Sequence, residues 1–547
     1  MFTVKIGEQT LTLEQKTPIL ELIPIENQKK YIAAKVNNRL RELNYEVYYD
    51  CEIELLDLTN SDAVKVYETS LRYLLAMAFR RVYPQYSVRF SYNVSRSIFI
   101  QFLNFSGSID NSIIQNLKKE IESLVEKDIS FNRVTMSKEE ALEIYKKEGY
   151  SDKIDVLKYR PEKIVHLYEC DGYLNYMYGY MVPSTGYLKY YVLRQYNPGL
   201  ILQYPRAELG GLIPAFEEAP TFGKALKKAH QWAIICDAET VAKMNSHVSE
   251  ETVVDFVNMC ETKHNNMLAE LGQIIEKDID NIRLIAIAGP SSSGKTTFSN
   301  RLRIELMSRG INPLRISIDD YYLPKNQAPL DENGNPDLEH IEALDIDLFN
   351  EHMLKLIQGE EITLPSFNFK TGIREDGPKC KVDSKTPIII EGIHALNDIL
   401  TSSIPKHQKF KIYISPQIQI NVDNHNPISL TDIRLLRRIV RDKKSRNTSA
   451  EKTLEMWSSV RRGEFNWIYP NQEGANYIFN SELTYELCVM KKYALPALQA
   501  INNDHPYFIM ANRLIKFLKH FKDIDDKFVP CNSLLREFIG GSCFYDV

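Results

Sequence analysis

The sequence predicts an α/β chain whose C-terminal half is built on a doubly wound parallel sheet, preceded by two α+β modules and a helical connector. Three observations predict it. In residues 283–302, RLIAIAGPSSSGKTTFSNRL, an apolar run breaks at Gly289 and resumes as a helical pattern from Lys295. Four more apolar runs, 314–318, 387–390, 410–414 and 476–479, suit buried parallel strands separated by helical segments. Before residue 215 the pattern instead mixes short alternating strands with amphipathic helices, and residues 222–277 hold few breakers and steady helical spacing.

Length and composition bound the rest. At 547 residues the chain exceeds one hydrophobic core. With 44% hydrophobic and 25% charged residues it has the balance of an ordinary soluble protein, and a net charge of −5 gives no global drive toward nucleic acid or anionic membrane. Eight scattered cysteines without a C-x-x-C pair argue for reduced thiols in a cytoplasmic protein. The N-terminus, MFTVKIGEQTLTLEQ, is polar and alternating and does not read as a signal peptide. No run approaches the ~20 apolar residues of a membrane span.

The break at Gly289 fits G-x-x-x-x-G-K-[ST] through Gly289, Pro290, Ser291, Ser292, Ser293, Gly294, Lys295 and Thr296, with Thr297 continuing the turn. Small residues let backbone N–H groups curl round a phosphate, and the helix that follows presents its positive end to it. Lys295 is placed to reach the β and γ phosphates of ATP, and the Thr296 hydroxyl to ligate Mg²⁺.

Taken in order, residues 2–6 and 9–13 alternate as two strands about Gly7-Glu8, and 31–36 and 51–56 read as further strands. Residues 64–82 show helical spacing through Val64, Tyr67, Leu71, Leu74, Leu75 and Phe79. The segment YIAAKVNNRLRELNYEV with IELLDL is similar to the small ubiquitin-like TGS domain of threonyl-tRNA synthetases, which implies a first domain at 1–60. Residues 66–84, 136–150 and 175–186 resemble, in matching order, the editing domain of those enzymes, giving a second domain at 61–215. The family's helix histidines fall on Glu68 and Arg72, and its cysteine and second histidine on Met177 and Met181. An arginine and two thioethers cannot hold zinc, so the expectation is the fold without the chemistry. Nine tyrosines between Tyr168 and Tyr196 are read as half-buried sheet residues. The connector, 216–280, is expected to form two or three helices, with His230, His247 and His264 on helix faces.

In the C-terminal half, assigned to 281–520, acidic residues close two strands: Asp319 and Asp320 after 314–318, and Glu391 after 388–390. A carboxylate beside a phosphate loop holds Mg²⁺ or accepts the proton of an attacking hydroxyl. SIDDYYLP (317–324), LEHIEALD (338–345), LPSFNFKTGIR (364–374), IIIEGIHAL (388–396) and DIRLLRRIVRD (432–442) are similar to the motifs of uridine kinases in the phosphoribulokinase/uridine kinase family. The resemblance implies a P-loop kinase domain with Asp319 as base toward a nucleoside 5′-hydroxyl, Tyr322 by the acceptor and Glu339 at the ribose. It also implies Glu391 near Mg²⁺, and Arg438, Arg441 and Arg446 toward acceptor and transferring phosphates. The family's base-side tyrosine is Phe367, with Phe369 two residues on, while its base-reading histidine and arginine fall on Gly372 and Thr448.

These residues point to an ATP- and Mg²⁺-dependent nucleoside 5′-kinase. Two other readings stay open: a kinase for another small hydroxyl substrate such as a sugar phosphate, and an RNA- or tRNA-binding regulator whose loop only binds nucleotide. A homo-oligomer is compatible with either half, and the apolar tail at 521–547, with Leu534, Leu535, Phe538 and Ile539, is expected to dock on the kinase body or on another subunit.

Overall fold

The structure is a computed structural model, and it describes residues 1–107, 109–160, 162–332, 334–368 and 371–546. The chain opens with a five-stranded sheet in the order Gln9–Leu13, Phe2–Ile6, Cys51–Leu56, Ala33–Val36, Arg39–Arg41. Phe2–Ile6 pairs with Cys51–Leu56 in parallel, Val4 opposite Cys51, and the other pairings are antiparallel. Helix α1 (Ser61–Val82) follows; Asn60 caps it by accepting from the Asp62 and Ala63 N–H groups, and most of its length is buried. It packs against α2 (Asn111–Glu126) and a four-stranded antiparallel sheet, Val192–Tyr196, Gly199–Gln203, Ser97–Leu103, Ser87–Val94. A smaller sheet, Asn132–Ser137, Ile164–Cys170, Tyr173–Asn175, carries α3 (Lys138–Glu148) and α4 (Ser151–Tyr159).

Three helices then cross to the second half: α5 (Pro220–Ile235), α6 (Val241–Ser246) and α7 (Val253–Glu276). They are more than a tether, because Phe256, Val257, Leu268 and Leu271 share one core with the sheet they lead to. His264 is buried in that core, with Nε2 at 2.8 Å from the Glu482 carbonyl oxygen.

That sheet is wholly parallel, in the order Leu314–Ser317, Ile388–Glu391, Leu284–Ala288, Lys409–Ser415, Tyr477–Asn480. Alternate residues face opposite cores: Ile285, Ile287, Ile389, Ile412 and Ile414 join the connector helices, while Leu284, Ala286, Ile388 and Ile390 join the far side. Both faces are covered, which is why these strands read as unbroken apolar runs. Helix α8 (Lys295–Met307) follows the central strand; α9 (Ile346–Ile357) lies on the far face, and a ribbon of Ile362–Asn368 with Ile373–Cys380 projects beside it. Helices α10 (Leu430–Ser445), α11 (Ala450–Gly463), α12 (Glu486–Gln499) and α13 (Phe508–Leu518) complete the body. The short α14 (Arg536–Ile539) seals it, with Leu534, Leu535, Phe538 and Ile539 buried in the same core.

Two local differences from the sequence expectation have simple causes. The strand expected over 314–318 ends at Ser317, whose hydroxyl accepts from the Asp319 N–H at 3.3 Å and turns Ile318–Tyr321 into a 3₁₀ helix. Of the nine tyrosines from Tyr168 to Tyr196, Tyr173, Tyr178, Tyr180, Tyr191 and Tyr196 are half-buried as expected, whereas Tyr168, Tyr176 and Tyr187 are buried, the Tyr168 hydroxyl donating to Glu42 at 2.7 Å, and Tyr190 is exposed. No helix among the described residues is long and apolar enough to cross a membrane.

Candidate functional site

The turn after Leu284–Ala288 is forced by contact. A Cβ on Gly289 would stand 2.0 Å from the Ile414 carbonyl oxygen of the adjacent strand, so only glycine passes there. Ser292 and Gly294 take positive φ values of 61° and 91°, curling the chain into a nest of N–H groups at the head of α8. Ser292 Oγ, Ser293 Oγ and Thr297 Oγ1 are buried there and have no hydrogen-bond partner among the described residues. Buried hydroxyls are rarely left so, and a cradle of unspent donors is what a phosphate requires. Lys295 Nζ donates to the Gly289 and Pro290 carbonyl oxygens at 3.0 and 3.4 Å.

Strand register brings the acids to the same edge. Ser317, Glu391 and Ile287 lie abreast on neighbouring strands, so Asp319 and Glu391 emerge beside the loop that follows Ala288. Thr296 Oγ1 lies 3.4 Å from Glu391 Oε1. The Glu391 carboxyl is pushed up to about 7, by burial first and then by Asp319, with Lys295 opposing both. Asp319 is likewise raised by burial, against the pull of Lys295, Arg446 and Arg441. Lys295 is lowered by burial, opposed by Glu391, Asp319 and Glu537. Asp320 turns away from this edge, and its Oδ1 accepts from the Phe367 N–H at 3.2 Å, anchoring the projecting ribbon.

That ribbon sets the second wall. The Tyr322 and Phe367 rings lie 5.7 Å apart, and the Tyr322 hydroxyl donates to the Leu338 carbonyl at 3.1 Å. Glu339 faces Gly463 of α11, and its carboxyl is pushed up to about 7 by burial, with Arg438 pulling down. Phe369 lies outside the described residues. Gly372 has a φ of 70° and sits against the Lys325 side chain, and the Thr448 hydroxyl bonds the Arg446 carbonyl at 3.2 Å.

Helix α10 supplies the cations, and it divides them. Arg438 Nη1 donates to Ser291 Oγ at 2.8 Å. Arg438, Arg441 and Arg446 all gather on Asp442, at 3.3, 2.8 and 3.8 Å, so one carboxylate collects the three arginines. Mutual repulsion with Arg441, followed by burial, lowers the Arg446 guanidinium to about 10. Arg434 and Arg437, one turn earlier, hold the loop itself: Arg434 Nε donates to the Ser291 carbonyl at 3.2 Å and Arg437 Nη1 to the Ser292 carbonyl at 3.4 Å. These two were not among the residues expected from sequence, although Arg434 and Arg438 share a face at i, i+4. Nor was Glu537 in α14, whose Oε2 accepts from the Thr297 N–H at 3.0 Å, a carboxylate resting on the positive end of α8. No local signal marks Glu537, since 240 residues separate the partners.

Among the described residues no group of three or more His, Cys, Asp or Glu side chains is arranged to hold a metal. Thr296 and Glu391 instead offer two hard oxygens beside the phosphate cradle, the sparse protein donor set with which Mg²⁺ is bound when substrate phosphates complete the shell.

The four synthetase positions are occupied differently. Arg72 lies buried on α1, its Nε at 2.6 Å from Glu68 Oε1, and its guanidinium also donates to the His425 carbonyl in the other half. Met177 and Met181 are both buried. His425 belongs to a hairpin, Asn421–Asp423 with Asn426–Pro427, that leaves the parallel sheet and enters the N-terminal half. Within it Asp423 is fully buried against Lys153 at 2.8 Å, and Asn426 accepts from the Tyr178 N–H at 2.8 Å.

Residues 284–487 match the family described as Phosphoribulokinase / Uridine kinase family. A uridine kinase of Bacillus pumilus is 31% identical over 196 residues, covering 36% of this chain and 84% of that protein. A threonine–tRNA ligase of Desulforamulus reducens is 28% identical over 177 residues, covering 32% of this chain and 28% of the ligase. The N-terminal region is thus threonyl-tRNA synthetase-like, and the chain spans about a quarter of the ligase it matches. A solved structure of a possible uridine kinase from Bacillus stearothermophilus is similar at 17% identity and a TM-score of 0.25, covering 37% of this chain and 89% of that one.

Proposed function

The chain belongs to the phosphoribulokinase/uridine kinase family, and on that footing we propose that it is an ATP-dependent nucleoside 5′-kinase, with residues 281–520 as the kinase domain. The observation that carries the reading is the convergence of Lys295, Asp319 and Glu391 on the edge that holds the phosphate nest, opposite the Tyr322–Phe367 wall. ATP seats its phosphates on the nest formed by residues 289–297. Thr296 and Glu391 would hold Mg²⁺, which supplies charge neutralisation across the β and γ phosphates. Asp319 accepts the proton of the acceptor hydroxyl, whose oxygen then forms a bond to the γ-phosphorus as the bond to the β-phosphate oxygen breaks. Lys295 balances the charge passed to the leaving ADP, and Arg438, Arg441 and Arg446 steady the transferring group. For this the arginines exchange Asp442 for phosphate, to which a planar guanidinium is well matched.

Glu339 accepts from the paired ribose hydroxyls, and Phe367 flanks the base. With glycine and threonine at the base-reading positions 372 and 448, the site carries fewer polar groups to discriminate among bases, so a broad nucleoside preference is expected. The test is monophosphate formation by the purified chain with ATP, Mg²⁺ and a panel of purine and pyrimidine nucleosides. Turnover of at least one nucleoside, lost in Asp319→Asn, is expected; turnover of sugar phosphates alone sinks the reading. The synthetase-like residues 1–60 and 61–215 are proposed to act as a structural and ligand-sensing half.

A further inference from the structure

Between the two halves lies a cavity of about 1360 Å³ that the chemistry above leaves unused. Its walls come from both: the strand Arg39–Arg41 and the sheet bearing Arg133 on one side, and the helices α10, α11 and α13 on the other. Six cations, Arg39, Arg41, Arg133, Arg160, Lys516 and Lys519, line one end. Only two of them have acidic partners among the described residues: Arg160 meets Glu162 at 3.3 Å, and Arg133 reaches Glu42 at 3.9 Å. Of the other carboxylates of the lining, Asp62 pairs with Lys65, Glu68 with Arg72, Glu208 with Arg206 and Asp432 with Arg513, which leaves Glu332 without an ion pair among the described residues.

Two of the donors are also unspent: Arg41 Nε and Arg160 Nη1 are buried at the atom level and have no hydrogen-bond partner among the described residues. Arg41 Nη1 donates to the Tyr180 hydroxyl at 3.2 Å, and Arg133 lies over the Tyr180 ring at 5.3 Å, so the guanidinium groups are held in place by aromatic neighbours. Burial lowers Lys516, and its neighbours Arg41, Arg133, Lys519 and Arg39 lower it further. Like charges gathered about one void repel at every pair, and an anion of several charges relieves all of those repulsions together. The volume exceeds the roughly 300–1,000 Å³ of ordinary ligand pockets, so a small molecule would occupy the cationic end and leave the rest to solvent.

We propose that this cavity is a binding site for a small molecule carrying a diphosphate or triphosphate group. The site is separate from the phosphate loop but linked to it by ion pairs. Arg461 on the opposite wall shares Glu464 with Arg434, the arginine that holds the Ser291 carbonyl.

The experiment is calorimetric titration of the full-length protein with inorganic tripolyphosphate. Wild type is expected to bind two equivalents, one on the loop and one in the cavity. Lys295→Ala is expected to keep the cavity equivalent, and Arg41→Gln/Lys516→Gln to lose it, with at least a tenfold fall in that affinity. A Lys227→Gln/Lys228→Gln control, on the exposed face of α5, should leave both. If Lys295→Ala binds no tripolyphosphate, or the cavity variant keeps both equivalents while remaining folded by circular dichroism, the proposal is overturned. A wild type that binds one equivalent, kept in Lys295→Ala and lost in the cavity variant, would retain the cavity and sink the loop reading. Repeating the Lys295→Ala titration with UTP separates the ligand's sources: tighter binding than tripolyphosphate assigns a nucleotide, and equal binding a free oligophosphate. Displacement of tripolyphosphate from that variant by a single-stranded RNA 20-mer at lower concentration than unlabelled tripolyphosphate would overturn the small-molecule site in favour of RNA.

Discussion

The phosphate loop and the synthetase-like pocket both bury charged and polar side chains, yet they use them in opposite ways. Around the loop, Ser292, Ser293 and Thr297 keep hydroxyls unspent, and Asp319 stands close enough to Glu391 to raise it. In the other pocket Arg72 meets Glu68, Thr69, Asn426 and the His425 carbonyl, so its donors are consumed by the chain itself. A site can be told from a joint by this contrast: groups held ready and left unsatisfied await a ligand, whereas groups fully satisfied internally have become structure.

The most severe test of the contrast is at Asp319. Asp319→Asn is expected to lower kcat by about 10²–10⁴-fold with ATP binding near normal, as for loss of a general base. Steady-state turnover alongside nucleotide binding checks it, and equal losses in both would make Asp319 structural. Arg72→Ala is the matching cut in the joint. Breaking a buried ion pair costs about 3–5 kcal/mol, read as a lower urea midpoint, while turnover per folded molecule should hold. A normal midpoint with lost turnover would reverse the two assignments.

The next effect concerns Glu339, which faces Arg438, Glu464, Lys295 and Asp337. Its carboxyl ordinarily titrates near 4.5 and is pushed up to about 7 in the fold. The sign follows from that order: the contribution to stability is fully present below 4.5 and is lost as pH rises through about 7, because the folded state holds the proton longer. The ionised form is the one that accepts ribose hydroxyls, so the acceptor KM should rise by about tenfold from pH 8 to pH 6, following the fraction ionised. Glu339→Gln should have a high, pH-flat KM, and an unchanged pH profile would remove Glu339 from the acceptor site. The smallest effect is expected at Glu537, which occupies the Thr297 N–H that a phosphate would use. Glu537→Gln should lower the KM for ATP by about threefold, consistent with the ~0.3–1 kcal/mol worth of a charge at a helix end. A raised KM would mean that this carboxylate aids the nucleotide.

The parallel sheet was legible in the sequence because strands buried on both faces must be apolar throughout, and Asp319 and Glu391 because acids ending such strands break that pattern. The loop was legible because close approach to Ile414 and positive φ demand glycine at 289 and 294. Less could be read where partners are remote in sequence. Glu537 on Thr297, Glu464 between Arg434 and Arg461, and Asp423 under Lys153 are long-range pairings that no local spacing encodes. The arginines of α10 fell between these cases: the helix face was visible, but the gathering of three of them on Asp442 was not.

The hairpin from Asn421 to Pro427 has a mechanical meaning. It springs from the strand Lys409–Ser415, whose end also fixes Gly289, and its tip is clamped inside the N-terminal half by Lys153, Arg72 and Tyr178. Prising the halves apart therefore pulls on the strand that shapes the nucleotide nest, so the two should melt in one cooperative transition, and a kinase half cut free at residue 281 would expose an acid, Asp423, that had lost its counter-ion.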